Sequence, residues 1–303
     1  MRYRRVGVLE GGVSGERAVS LMSGQAVAAG LERSGYDVVE IDFQLDLDRR
    51  LREANVEAVF IALHGRWGED GTVQGMLEMM ALPYTGSSVL ASALAMDKVL
   101  ARIVFEANGL PVPRGFAPPP GEPVSLPHDW SLPVVVKPVC EGSSLGISIV
   151  HEESRFQEAV KTARKCSDEI LIEAFVDGME VTVAVLDGEV LGALEMEPHN
   201  EFYDYSAKYY EGGSTHHIPP RIEASRLDEA LHMGKRAFDA IKCSGAVRAD
   251  LIVPKEGPTV VLEVNTVPGM TDLSLLPEIA AAYGLSFDQF VSRIMEGATL
   301  HTK

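Results

Sequence analysis

Apolar positions along the chain come in short blocks, and their period alternates between strand-like and helix-like. Val6 to Glu10 reads as a strand and runs into Gly11-Gly12-Val13-Ser14-Gly15-Glu16-Arg17, a flexible turn. Val19, Leu21, Met22, Ala26, Val27 and Leu31 then recur at helical spacing, and Ser34-Gly35 ends that helix. Val38 to Phe43 and Ala58 to Leu63 are the next strands. Strand, helix, strand at these lengths predicts a parallel α/β unit.

A second region opens near Pro83-Tyr84-Thr85-Gly86. It holds a helix from Asp97 to Asn108, ended by Gly109, and loops marked by Pro111, Pro113 and Pro118 to Gly121. Pro133 to Lys137 and Ile147 to Val150 read as strands joined by the small-residue loop Glu141 to Gly146, a hairpin pattern. Phe156 to Ala163 is helical and Glu169 to Phe175 returns as a strand. A third region starts with Val181 to Leu186 and Glu189 to Leu194, a hairpin about Asp187-Gly188. Pro198 to Pro220 is polar and aromatic without periodicity, and so reads as a long loop. Leu227 to Ile241 is helical. Ala249 to Val253 and Thr259 to Val264 are strands joined through Lys255-Glu256-Gly257, and Leu276 to Met295 is mostly helical.

The 303 residues suggest two or three domains. A net charge of −17 (27 Lys and Arg against 44 Asp and Glu) makes the chain a poor binder of nucleic acid. Local clusters of cations can still hold a small polyanion. Cys140, Cys166 and Cys243 are sparse and unpaired in spacing, as in a reducing compartment. The apolar run Val6 to Leu9 is too short for a signal peptide, and no run is long enough for a membrane span. The expectation is a soluble cytoplasmic protein.

Several common motifs fail. There is no Walker A loop, and Gly11, Gly12 and Gly15 miss the dinucleotide spacing. Gly142-Ser143-Ser144-Leu145-Gly146 matches the hydrolase Gly-x-Ser-x-Gly pattern, but that elbow needs a helix after it and a strand is expected here. The same loop, after Lys137 at a strand end, suits a cover over phosphates, because small residues let backbone N–H groups approach an anion. An ordinary polar hairpin tip would read the same way. Asp250 and Glu263-x-Asn265 lie on two strands expected to pair. Residues i and i+2 of a strand share a face, so Glu263 and Asn265 can converge with Asp250. Two carboxylates and a carboxamide are hard ligands suited to Mg²⁺. Solvent-facing strand residues are the plainer alternative, against which the apolar Val261, Leu262 and Val264 weigh. His64 to Gly71 packs charge and glycine after a strand, where α/β proteins place ligand sites; a capped turn would look alike. Lys208-Tyr209 offers a phosphate contact and a hydroxyl, or surface decoration. His216-His217, without carboxylates at ligand spacing, reads as loop surface.

Taken in order, these segments resemble the D-alanine–D-alanine ligase family of the ATP-grasp superfamily. The matching stretches are Glu10 to Arg17 with Val19-Ser20-Leu21, His64 to Gly75, Pro83 to Gly86, Met96-Asp97-Lys98, Lys137-Pro138 with Glu141 to Gly146, Phe202 to Tyr209, Arg248-Ala249-Asp250 and Glu263 to Thr271. The resemblance implies an α/β, three-domain ATP-grasp architecture with boundaries 1–86, 87–172 and 173–303. The first would be a parallel α/β domain, and nucleotide would sit between the other two. It implies ATP and two Mg²⁺, with Mn²⁺ able to substitute, D-alanine as substrate, and a homodimer. Lys98, Lys137, Ser144 and Lys208 would meet phosphates. Glu173, Glu180, Phe202 and the backbone of Ala174 and Val176 would meet the nucleoside. Asp250, Glu263 and Asn265 would hold metal. Glu16 and His64 would face the first D-alanine. Arg248 and the Gly269 N–H would face the oxyanion, and Ser274 and Leu275 the second carboxylate. Ser143 and Tyr209 would link the covers over the site. Trp67, where the family often has Gly, is a departure expected to reshape the wall beside His64. Ala174 replaces a common Lys. D-Lactate and D-serine as second substrates, and a nucleotide-binding regulator without catalysis, are the competing readings. Tyr209 argues against D-lactate, and retention of the ligand set argues against the regulator.

Overall fold

The computed structural model describes residues 1–142, 145–198, 214–271 and 273–302. Strand β1 (Arg5–Glu10) lies between β2 (Asp37–Asp42) and β3 (Ala58–Ile61), and both pairings are parallel. β3 is buried along its whole length, as expected where a parallel strand is covered on both faces and reads as an unbroken apolar run. The helix Arg17–Arg33 makes the crossover from β1 to β2.

A four-stranded antiparallel sheet follows, in the order β4-β7-β5-β6. Its strands are β4 (Gly115–Phe116), β5 (Val134–Pro138), β6 (Ser148–Val150) and β7 (Ile170–Ala174). Pairing of β5 with β6 forms the expected hairpin, so strand and not helix follows the Gly142 to Gly146 loop, and the hydrolase elbow is excluded.

The third sheet runs β10-β9-β8-β11-β12. It comprises β8 (Gly178–Leu186), β9 (Glu189–Pro198), β10 (Ser214–His217), β11 (Ala246–Pro254) and β12 (Val260–Asn265). Asp187 and Gly188 both have positive φ, 49° and 82°, which fits a two-residue hairpin turn. The reading of 198–220 as one loop is corrected at both ends. β9 extends to Pro198, and Ser214–His217 pairs back on it with Ser214 opposite Pro198. The rest, 199–213, lies outside the described residues.

The helices Leu47–Ala54, Thr72–Met79 and Val89–Met96 add to the sequence expectation. The tail helix divides into Leu275–Ala282 and Phe287–Glu296. Gly284, at φ 93°, stands between them, and a Ser286–Gln289 capping box opens the second. That last helix packs on Arg17–Arg33, so one core joins Val6, Val8 and Phe60 to Leu186, Leu194 and Phe290. A separate core of Val134, Val136, Phe156, Val160, Ile170 and Ile172 fills the four-stranded unit.

Candidate active site

The register of β11 and β12 sets the acidic wall. Asp250 lies opposite Glu263, and Arg248 lies opposite Asn265. The Arg248 guanidinium bonds Asp250 through Nε (3.0 and 3.1 Å) and Nη2 (2.8 Å), while Thr182 on β8 donates to Asp250 Oδ1 at 2.7 Å. Asn265 Oδ1 accepts the Val267 N–H at 3.0 Å, which fixes the carboxamide and the turn after it. Two carboxylate oxygens and a carboxamide oxygen, fixed on paired strands, suit a hard divalent cation.

The facing wall is basic. Lys98 opens the helix Lys98–Ala107, whose N-cap Asp97 accepts from Val99 N and Leu100 N, each at 2.9 Å. Its Nζ donates to Glu141 O at 2.6 Å and stands 3.5 Å from Glu263 Oε2. Lys137, at the end of β5, is buried with Nζ 2.6 Å from Glu173 Oε2. Arg102 holds the other Glu173 oxygen at 3.2 Å and also donates to Pro113 O. Glu173 therefore organises two cations in the floor of the cleft. Arg102 was not singled out in the sequence, although it stands one helical turn after Lys98.

Three adjoining cavities unite the expected residues. A cleft of about 670 Å³ between the second and third sheets is lined by Lys137, Glu173, Ala174, Val176, Glu180, Asp250 and Glu263. Apolar Val135, Ile147, Ile149, Met179, Ile252 and Leu262 line it too, a surface fit for a flat ring. A smaller cavity brings Glu16, His64, Lys98, Arg248, Glu263, Asn265 and Gly269 together, and a third is lined by Glu180, Arg248, Asp250, Gly269, Ser274 and Leu275. Shared residues make the three continuous. Ser143, Ser144, Phe202, Lys208 and Tyr209 lie outside the described residues.

Glu16 directly precedes Arg17–Arg33 without capping it by its side chain, and is buried. Gly142 passes so close that a Cβ there would stand 2.9 Å from Glu16 Oε2, so a larger residue would push the carboxylate aside. Gly269 is similar, since a Cβ would meet Ser274 Oγ at 2.7 Å. The Ser274 hydroxyl accepts the Thr271 N–H at 2.9 Å. His64 is buried, with Nδ1 3.9 Å from Glu69 Oε1. Burial alone would lower its pKa, but Glu69 and the Glu16 charge outweigh it and hold the imidazole above its ordinary value. Burial pushes the Glu141 carboxyl up, against the pull of Lys98.

Two sequence readings change. Trp67 does not line the cavity with His64; its ring lies 5.5 Å from Phe43 and under the Arg66 guanidinium. Its φ of 72° explains why glycine suits that position. His216 and His217 are strand residues with carboxylate partners: His216 Nδ1 is 2.6 Å from Glu278 and His217 Nε2 is 2.7 Å from Glu197. Glu197 reaches His217 only through sheet pairing, which sequence spacing could not reveal. Glu195, Glu197 and His217 sit close enough to share an ion, but Arg221 already bonds both carboxylates.

A cleft with acidic strands on one wall and buried lysines on the other defines an α/β enzyme that handles a polyphosphate. Residues 124–296 match the family model described as D-ala D-ala ligase C-terminus, and residues 44–87 match D-ala D-ala ligase N-terminus. The D-alanine--D-alanine ligases of Citrifermentans bemidjiense and Geotalea uraniireducens are each 50% identical, over 99% of this chain and 98% and 97% of theirs. The crystal structure of D-alanine--D-alanine ligase from Bacillus anthracis superposes with a TM-score of 0.86 at 34% identity, covering 97% of both chains. VanG D-Ala:D-Ser ligase from Enterococcus faecalis gives 0.81 at 28% identity, covering 97% of this chain and 98% of its own. The chain belongs to the D-alanine–D-alanine ligase family.

Proposed function

We infer that the protein is an ATP-dependent, ADP-forming ligase that joins two D-alanine molecules into D-alanyl-D-alanine, a peptidoglycan precursor, through an acyl phosphate. Whole-length relatives of that activity support the reading. The observation that carries it is the β11–β12 register, which sets Asp250, Glu263 and Asn265 against Lys98.

ATP occupies the larger cleft, its base among the apolar residues and its phosphates toward Lys137 and Lys98. Asp250, Glu263 and Asn265 would hold two Mg²⁺, whose charge eases phosphoryl transfer. Glu16 receives the ammonium of the first D-alanine beneath Gly142. The carboxylate of that substrate attacks the γ-phosphorus, an O–P bond forms, and ADP leaves. The neutral amine of the second D-alanine attacks the acyl carbon, and phosphate leaves with its bonding electrons and takes up the proton that the amine nitrogen loses. Arg248 and the Gly269 N–H meet the oxyanion between these events. Ser274 and the Leu275 backbone receive the second carboxylate. Ser143, Ser144, Phe202, Lys208 and Tyr209 complete the site in this reading, and the three domains divide at 1–86, 87–172 and 173–303.

The protein acts in the cytoplasm as a homodimer. Among the described residues no helix is long and apolar enough to cross a membrane. Met79, Leu90, Leu100 and Ile103, on three successive helices, are exposed apolar side chains of the kind a second copy would cover.

Phosphate release from MgATP should require D-alanine, and mass spectrometry should find the dipeptide. D-Serine or D-lactate supplied alone should release none. Absence of D-alanine-dependent release would overturn the reading. Glu263→Gln is the preferred ligand variant, because Asp250 also bonds Arg248 and Thr182 directly, whereas the change at Glu263 gives up the 3.5 Å ion pair with Lys98. It should remove roughly 3 kcal/mol or more of transition-state stabilisation, by comparison with single oxyanion-hole deletions. Activity within tenfold of wild type, about 1.4 kcal/mol, would sink the metal assignment.

A further inference from the structure

Ser23 is fully buried on the helix Arg17–Arg33, one turn after Ser20. Ser20 pins the strand ends, donating to Ala62 O at 2.7 Å and accepting from Gly11 N at 2.9 Å. Ser23 does something different. Its hydroxyl lies 3.3 Å from His64 Nε2 and accepts the Met270 N–H at 3.1 Å. Met270 directly follows Gly269, while His64 follows β3 of the first sheet. One hydroxyl thus joins an imidazole of the first unit to a backbone turn of the last.

A serine hydroxyl has one proton and two acceptor positions. Met270 N–H takes one acceptor position, so the proton is available to His64 Nε2. A neutral His64 then carries its own proton on Nδ1, the nitrogen 3.9 Å from Glu69, and the Val267 carbonyl is a further acceptor beside the ring. Glu69 is in turn fixed by the Gly65 N–H at 2.8 Å. The chain Glu69–His64–Ser23–Met270 is buried throughout.

We propose that Ser23 is a positioning residue of the ligase: it sets the His64 ring and the Gly269–Met270 turn against each other. The first-substrate wall and the oxyanion donor are then placed together. This rests on the ligase reading above.

The test uses Ser23→Ala in the full chain. Losing the hydroxyl leaves Met270 N–H and His64 Nε2 without their partner, so kcat should fall about tenfold. The KM for ATP should stay within about twofold, because the nucleotide cleft does not contain Ser23. Nitrogen-15 imidazole shifts should show the Nδ1–H tautomer for neutral His64 in wild type and a changed tautomer ratio in the variant. A side chain that merely fills space would lower stability and leave those shifts alone.

The proposal is overturned by a kcat within about twofold of wild type, by unchanged His64 shifts, or by a wild-type neutral ring protonated on Nε2. If Ser23→Ala does not fold, the wild-type tautomer decides the matter by itself. Wild-type protein without D-alanine-dependent ATP turnover would instead sink the ligase reading, whatever the imidazole shows.

Discussion

Glu10 is a buried carboxyl at the end of β1, with Oε2 lacking a hydrogen-bond partner among the described residues. The helix Arg17–Arg33 passes so close that a Cβ on Gly24 would stand 2.0 Å from that oxygen. Burial first, then Glu40 and Asp42, push its pKa up from 4.5 to about 7 against the pull of Arg17. Arg17 is committed to Asp42 by two hydrogen bonds, at 2.8 and 2.7 Å, and so does little for Glu10. A folded-state pKa above the unfolded value means that the native protein holds the proton more tightly. The resulting stabilisation is fully present below 4.5 and is lost as pH rises through about 7. Glu10→Gln keeps the shape and removes the titration. The Tm of the variant should therefore gain on wild type between pH 5 and 8 by at least roughly 2–4 °C, the span that about 1 kcal/mol moves a chain somewhat smaller than this one. Parallel Tm curves across that range would show that Glu10 is not the group titrating.

At the scale of single elements, the helix Lys98–Ala107 would, in the proposed reading, couple stability to substrate handling. Asp97 caps two of its first N–H groups, and the next residue is the lysine that reaches Glu141 O and Glu263. Asp97→Ala should cost about 1 kcal/mol of stability. It should also raise the KM for ATP, because a frayed first turn no longer holds the Lys98 ammonium. A lower Tm with an unchanged KM would separate the two roles. This helix, the Asp187-Gly188 hairpin and the i, i+2 pair Glu263 and Asn265 were legible in the sequence, because each is a local pattern with a local cause. The helices Leu47–Ala54, Thr72–Met79 and Val89–Met96 were not, since about two turns give too few repeats to establish a period. Arg102 beneath Glu173, and Ser23 beneath His64, were hidden for another reason. Their partners come from sheets and loops whose adjacency no spacing encodes. A polar Ser20 and Ser23 on an otherwise apolar helix face were the available signal, and a weak one. Trp67 also needed the backbone: its left-handed φ turns the ring toward Phe43 and away from His64.

The whole molecule divides unevenly. The chain ends are locked together by the core containing Val6, Phe60, Leu186 and Phe290, and by the bridge of Tyr84 to Thr299. Helices Val89–Met96 and Lys98–Ala107 pack into the core of the five-stranded sheet through Ala91, Ala101 and Phe105. The four-stranded unit keeps its own core, and its polar links to the rest include Arg102 to Glu173, Lys98 Nζ to Glu141 O and Lys98 N to Val139 O. These links are largely buried while the cleft is closed but are exchanged for hydrogen bonds to water once it opens, so breaking them costs less than exposing an apolar core. The unit is thus placed to open as a block without unfolding the remainder. ATP between the second and third sheets would touch both walls and oppose such opening by mass action. Amides of β5 and β7 should therefore exchange faster than those of β8 and β11 in ligand-free protein. MgADP should slow β5 and β7 most, since bound nucleotide stabilises only the closed arrangement. Equal exchange in the two sheets without ligand, or protection by MgADP spread evenly over all three sheets, would show that the four-stranded unit is no separate body and that the nucleotide does not bridge it to the acidic wall.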